Sequence, residues 1–316
     1  MRILTWHVHG TYLWSLAHLP HDLYLPTKPD RPPGYGGRTG ARDWPANVQE
    51  VPVEQLPALD VDLVLYQSHA QWAEREQVLG PSQLLVPQVF LEHDPPRASP
   101  TDTPHPVDDP DVLVVHVTPF NRLMWDNGRS PTAVVEHGVD VPDDIAPPAL
   151  GEGLLRGIVV VNDLATRGRR LGADIYEAVR HEVPLDLVGM GSEHLGGRGE
   201  VPPPKLPTFL APYRFYFHPV RYTSLGLALC EAMAVGVPIV GLATTELPSI
   251  VTHGVDGFVS NDVDELVEIM RGLLDDEVLA RRVGAAGRAL ARERFSIDRF
   301  VRDWDRVLTD WVAQHT

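Results

Sequence analysis

Residues 218–242, HPVRYTSLGLALCEAMAVGVPIVGL, set chemically useful groups at short intervals. A polar loop with Thr223, Ser224, Leu225 and Gly226 opens an amphipathic helix that carries one acid, Glu231, and a Gly-x-Pro turn and an apolar strand follow. A loop of small residues that opens a helix leaves backbone N–H groups pointing outward, and the helix dipole favours an anion there. Gly226 lets such an anion approach closely. A carboxylate placed like Glu231 can accept hydrogen bonds from two vicinal hydroxyls at once. Upstream, Arg167, Arg169 and Arg170 surround Gly168, and the guanidinium fork suits phosphate oxygens. His93, in Leu-Glu-His-Asp-Pro-Pro, follows an expected strand, where an imidazole can bind a hydroxyl or move a proton.

The elements that must position these groups alternate between two kinds. Short β-rich runs fall at 3–8, 61–66, 86–91, 112–117 and 133–135, with helical patterns over 10–19, 70–79 and 119–127. Residues 141–156 are rich in proline, acid and glycine and read as a linker. A second set follows, with strands at 157–161, 185–189, 213–217 and 237–242. Its helices fall near 171–181, 225–235, 262–274 and 277–293. Residues 297–314 carry apolar side chains at helical spacing. Such alternation predicts parallel βαβ units in two successive domains, which bind ligands at the carboxyl ends of their strands. The loop at 28–45 is long and rich in proline and glycine, and is expected to be mobile.

Composition narrows the function classes. At 316 residues, with 43% apolar and 22% charged residues, the chain suits two soluble domains. The lone Cys230 excludes an internal disulfide and a multi-cysteine metal cluster. The formal net charge is −16, and residues 1–144 carry 9 Lys and Arg against 20 Asp and Glu. That surface repels nucleic acid and anionic headgroups. No apolar run approaches the roughly 20 residues of a membrane span. The start, MRILTWHVHG, is too polar for a signal peptide, so a cytoplasmic location without a transmembrane segment is expected.

Several motifs point nowhere. GYGGRTG at 34–40 lacks the flanking strand and helix of a dinucleotide fingerprint. His7 and His9 share a strand face without a third ligand at usable spacing. Asp108, Asp109 and Asp111 lie in a proline-rich loop and read as solvated acids.

The run Ala-Leu-Cys-Glu-Ala-Met-Ala-Val-Gly-Val-Pro-Ile-Val at 228–240 closely resembles the nucleotide-sugar signature of retaining family 4, or group 1, glycosyltransferases. The resemblance is strongest over 157–300 and traceable over 1–140. It implies an α/β fold of the GT-B type, two Rossmann-like βαβ domains facing each other across a cleft. On this reading 1–145 is the acceptor-side domain and 146–296 binds the nucleotide sugar, while 297–316 forms a helix that crosses back to the first domain. The implied activity is retaining transfer of a hexose from a UDP- or GDP-sugar to a hydroxyl of a carbohydrate, glycolipid or small molecule, with no cofactor and no metal.

Residue by residue, the resemblance makes Glu231 the ribose ligand and the amides of Ser224, Leu225 and Gly226 diphosphate ligands. Thr223 stands where relatives carry a Glu that touches the transferred sugar, and Asn162 where they carry an Arg. Arg167 falls on their Lys position, and Arg169 or Arg170 could restore the missing charge. Gly10 and Thr11 match a turn that approaches the donor phosphates. His93 matches a His beside the donor sugar, which makes His93 and Arg167 the candidate catalytic residues. Thr245 and Glu246 lie where relatives contact the sugar, and residues 136–140 match a structural turn. The charge departures at Thr223 and Asn162 keep open a catalytically silent sugar-nucleotide-binding protein. A GT-B enzyme of another reaction type, a nucleotide-sugar epimerase, is a third reading.

Overall fold

The computed structural model describes residues 1–40 and 43–315. Their contacts divide into two units, Met1–Gly138 with Ile297–Thr316, and Val139–Ser296.

The first unit is built on seven parallel strands: β1 (Arg2–Thr5), β2 (Asp22–Thr27), β3 (Val48–Pro52), β4 (Leu63–Tyr66), β5 (Gln88–Glu92), β6 (Val112–His116) and β7 (Thr132–Val134). Their order is β3-β2-β1-β4-β5-β6-β7, so the winding direction reverses between β1 and β4. A parallel sheet is covered on both faces, and β5 (QVFLE) and β6 (VLVVH) are accordingly buried at every residue. Helix Ile297–His315 packs onto this unit through the buried Phe300, Trp304, Leu308 and Trp311. The Trp304 indole donates to the Tyr12 hydroxyl at 3.1 Å, and that of Trp311 to the Gln88 carbonyl at 3.1 Å.

The second unit carries β8 (Leu154–Val160), β9 (Leu185–Val188), β10 (Tyr213–His218), β11 (Ile239–Leu242) and β12 (Phe258–Ser260), in the order β12-β11-β10-β8-β9. Successive side chains serve opposite faces: Ile158, Tyr216 and Ile239 enter one core, and Val159, Phe215 and Val240 the other. The strand order reverses between β8 and β10. In open α/β sheets such a reversal leaves a crevice at the carboxyl ends of the two strands.

The structure departs from the sequence reading at identifiable places. The sequence pattern does not announce β2, β3 or β12, which are interrupted by Pro26, closed by Pro52, or only three residues long. The helix expected over 171–181 is present as Ala173–Val179, and a further short helix that the sequence pattern does not announce, Leu164–Leu171, precedes it. The two break at Gly168 (φ 57°) and Gly172 (φ 85°), both in the left-handed half of backbone space. The end of the expected linker is already strand, since the Leu154 amide donates to the Pro212 carbonyl at 2.7 Å. Within the loop at 28–45, Arg31 pairs with Glu50 at 2.7 Å and Lys28 lies 3.7 Å from the Tyr35 ring centroid. Ala41 and Arg42 of that loop lie outside the described residues. Among the described residues no helix is long and apolar enough to cross a membrane.

Candidate functional site

Three loops leave the carboxyl ends of β8, β10 and β11, and hydrogen bonds tie them together. After β8 the chain turns through Asp163, a non-glycine residue at φ 54°, whose amide donates to the Met190 carbonyl at 2.7 Å. Asn162 Oδ1 accepts the Met190 amide at 2.9 Å, so this carboxamide is spent on holding the turn. One helical turn follows, closed by the Arg167 amide on the Asp163 carbonyl at 2.9 Å, and Gly168 then breaks it. Arg167 is thus presented at the end of a single turn. Among the described residues its half-buried guanidinium makes no hydrogen bond or ion pair.

The next loop joins this one directly. The Arg170 carbonyl accepts the amides of Arg221 and Tyr222, each at 3.1 Å, immediately before Thr223. Arg221 reinforces the junction by donating to the Arg169 carbonyl at 2.7 Å and to Asp174 at 2.6 Å. Arg169 also pairs with Asp174, so its charge is committed there. Arg221 holds the Asp174 carboxyl below the usual carboxylate range, mainly through these hydrogen bonds and charge. On the other side, Thr244 Oγ1 donates to the Val220 carbonyl at 2.9 Å, which binds in the loop after β11. In that third loop Thr245 adopts φ 52°, and Glu246 is only 2% exposed with its carboxylate accepting from Ser249 Oγ.

The junction frames one helix N-terminus. Gly226 is the N-cap of helix Leu227–Val235, with φ −80° and ψ 136°. A Cβ there would meet nothing within 4 Å, so the approach to this end is open. The Leu229 amide already donates to the Gly226 carbonyl at 3.1 Å. The amides that precede it at a helix start have no intrahelical acceptor, and the dipole places partial positive charge on them. Thr223 and Ser224 are half-buried, Leu225 is buried, and Glu231 is 4% exposed on the second turn of the helix. The structure therefore brings Arg167, Arg170, residues 223–226 and Glu231 into one neighbourhood of the second unit.

On the first unit, Gly10 opens helix Gly10–Leu16 and a Cβ there would lie 3.0 Å from His7 Nε2. Gly10 is exposed and Thr11 half-buried. The flanking residues meet His93: the His9 ring lies edge-on at 4.4 Å and the Tyr12 ring at 4.9 Å between centroids. Gln67 donates its amide to Thr5 Oγ1 at 2.9 Å and the Trp6 carbonyl at 2.8 Å, which turns Gln67 Oε1 toward His93 Nε2 at 3.3 Å. Nε2 then carries the proton and Nδ1 is the basic atom. Burial, followed by the like charges of His9 and His137, holds His93 well below the ordinary histidine value against an opposing pull from Glu92. His93 is a neutral imidazole at pH 7, able to accept a proton or a hydroxyl hydrogen bond.

Sequence reasoning passed over three features. His218 ends β10 beside the loop junction, 7% exposed, and among the described residues its Nδ1 has no hydrogen-bond partner. Burial alone lowers its pKa to about 4. Arg221 carries no signal in sequence, because its role depends on the fold bringing Asp174 to it. His69, Glu92 and His105 converge on the first unit although 36 positions separate the outer two.

Residues 169–276 match the family described as group 1 glycosyl transferases. That matched segment is about a third of the chain. Among curated relatives, N-acetyl-alpha-D-glucosaminyl L-malate synthase of Bacillus anthracis is 33% identical over 89 residues. That alignment spans 28% of this chain and 23% of the relative, so the chain matches about a quarter of that relative's length. Among solved structures, sucrose-phosphate synthase of Thermosynechococcus elongatus superposes with a TM-score of 0.73 at 17% identity, over 99% of this chain and 100% of the other. Anabaena HepE in complex with UDP-glucose gives a TM-score of 0.68 at 15% identity, over 98% and 100% of the two chains. The fold is that of GT-B glycosyltransferases. Within the matched segment lie Arg170, residues 223–226 and Glu231, whereas Arg167 precedes it by two residues.

Proposed function

We propose that this protein moves a sugar from a nucleoside-diphosphate donor, UDP- or GDP-linked, to an acceptor hydroxyl with retention at the anomeric carbon. The observation that carries the reading is the loop junction on the second unit. It sets Arg167, whose guanidinium has no partner among the described residues, and the open N-terminus of helix Leu227–Val235 in the same neighbourhood as a buried carboxylate, Glu231. Cleavage of the sugar–phosphate bond builds negative charge on the leaving diphosphate, and preorganised cations and amide dipoles stabilise it most where charge develops. Arg167, Arg170 and the amides of Ser224, Leu225 and Gly226 take that role without a metal on the phosphates. Glu231 accepts the ribose hydroxyls, and Thr223 offers the transferred sugar a neutral hydroxyl. On the first unit, Gly10 and Thr11 serve the donor, and the neutral His93 contacts a sugar hydroxyl. Retention follows if the departing phosphate takes the acceptor proton on the face it leaves, and the resemblance to retaining enzymes supports that course.

The experiment is calorimetric titration with UDP, GDP and ADP in the presence of EDTA, for the wild type and Glu231→Ala. One nucleotide should bind, and the variant should lose roughly 1–3 kcal/mol of that affinity. Equal affinity of both proteins would remove Glu231 from the site. A second reading, nucleotide-sugar binding without transfer, is favoured by the neutral Thr223 and by the Asn162 side chain being committed to Met190. Turnover of labelled donor that disappears in Arg167→Ala would exclude it. Conversion of donor alone, with no acceptor present, would point instead to epimerisation.

A further inference from the structure

Three side chains of the first unit point their ligand atoms at one spot. His69 begins helix His69–Val78, Glu92 ends β5, and His105 lies in the segment between β5 and β6. Glu92 Oε2 lies 2.8 Å from His69 Nε2 and 3.2 Å from His105 Nε2, and all three atoms fall within 4.8 Å of one another. Glu92 Oε1 is held separately by the Asp94 amide at 2.9 Å, which fixes the plane of the carboxylate. His105 is fixed from behind, with Nδ1 3.1 Å from the Val107 nitrogen and 3.4 Å from the Val107 carbonyl oxygen. Phe90 and Trp125 wall the site at 5.1 and 5.0 Å from the His105 ring. The His105 and Glu92 side chains are 0% and 7% exposed, while that of His69 is 48% exposed and leaves one side open to solvent.

We propose that His69, Glu92 and His105 bind one Zn²⁺ ion. Two imidazole nitrogens and one carboxylate oxygen form a donor set that suits zinc, with the fourth position filled by water. Bonds of about 2.0–2.1 Å in a tetrahedron put neighbouring ligand atoms about 3.3 Å apart. The two separations at Glu92 Oε2 approach that spacing already, so the ion enters by a small outward movement of the rings. Each ring gives its Nε2 lone pair to the metal and carries its proton on Nδ1. In this structure His105 Nδ1 accepts the Val107 amide at 3.1 Å. Metal loading must turn that amide away and let the Val107 carbonyl, now 3.4 Å off, take the Nδ1 proton, whereas for His69 the acceptor is solvent. The Val107 backbone fixes the orientation of the His105 ring, while its tautomer changes when the metal enters. The ion would staple the start of a helix, the end of β5 and the segment beyond it, and His93 follows Glu92 directly. This departs from the metal-free expectation of the sequence, which rested on diphosphate chemistry alone. The proposal stands independently of the transfer reaction, because its readout is metal binding.

The test is to strip the full chain with EDTA and titrate Zn²⁺ in competition with a chromophoric chelator, for the wild type, His69→Ala and Glu92→Gln. Wild-type protein should take up one equivalent, and Co²⁺ in its place should show the intense visible bands of a tetrahedral site. Outer-shell partners alone change metal affinity by about 10–100-fold, so loss of the His69 ligand should cost about 100-fold or more. The metal-free variant loses the His69 contact to the buried Glu92 and should melt slightly below the wild type in EDTA, and Zn²⁺ should raise the melting temperature of the wild type only. Absence of saturable uptake by the wild type, or tight uptake that persists in His69→Ala, would overturn the site.

Discussion

Gly172 and Pro219 approach so closely that a Cβ on Gly172 would stand 2.0 Å from the Pro219 carbonyl oxygen. Gly172 also sits at φ 85°, where any other L-residue is strained. The two demands coincide because the segment carrying Arg167 and Arg170 must lie against the loop that leads to Thr223. Gly172→Ala is therefore expected to cost about 2–4 kcal/mol, from left-handed strain and overpacking together. Urea denaturation measures the loss, and nucleotide affinity should fall with it at temperatures where the variant remains folded. A variant as stable as the wild type would show that the two loops separate readily.

Gly226 supplies the opposite case. Its φ of −80° suits any residue, and a Cβ there meets nothing within 4 Å. Gly226→Ala should change stability by less than about 1 kcal/mol, the scale of an N-cap exchange. Under the proposed function the added methyl group stands where the diphosphate approaches the helix amides. Nucleotide affinity should then fall while the melting temperature holds. Unchanged affinity would place the diphosphate elsewhere.

Arg167 and Arg169 differ by two positions and by what holds them. Arg169 pairs with Asp174 at an exposed site that Arg221 also serves, so Arg169→Ala should shift stability by less than about 1 kcal/mol and leave turnover near wild type. Arg167 has no such partner among the described residues, so Arg167→Ala should fold normally. If its guanidinium meets the leaving diphosphate, kcat should drop by about 10²–10³, the effect of removing one preorganised donor. Steady-state kinetics on both variants, with melting curves as control, separates the two arginines.

Much of this arrangement is legible in sequence because it is local. Residues 223–231 carry the loop, the N-cap glycine and the buried acid within one segment, and β5, β6 and β10 announce strands by short, largely apolar and β-prone runs. The GT-B fold is legible through the resemblance carried by residues 228–240. What cannot be read is whatever tertiary contact creates. The short helix Leu164–Leu171, bounded and broken by left-handed Gly172 and Gly168, has no signal in the sequence pattern. β2 depends on neighbours at both edges to outweigh Pro26. His69, Glu92 and His105 meet only because β4 and β5 end side by side, and no spacing in the chain encodes that.

His218 provides a pH dependence with a definite sign. Its folded pKa is lowered to about 4 by burial, against the ordinary 6.5 of the unfolded chain. Between those values the unfolded chain binds the extra proton and the folded one does not, so stability falls as the pH falls. The contribution is complete above about pH 6.5 and is lost progressively toward pH 4, by about 2 kcal/mol at pH 5. Replacing the ring with an apolar side chain of similar size removes both the titration and the unpartnered Nδ1. His218→Leu should therefore be no less stable than wild type at pH 7.5, and its urea midpoint should drop less on acidification to pH 5. His116, also lowered to about 4 by burial, titrates equally in both proteins and cancels from the comparison. Parallel midpoints for the two proteins from pH 7.5 to pH 5 would mean that water or a neighbouring group stabilises the charged His218 ring in the folded state.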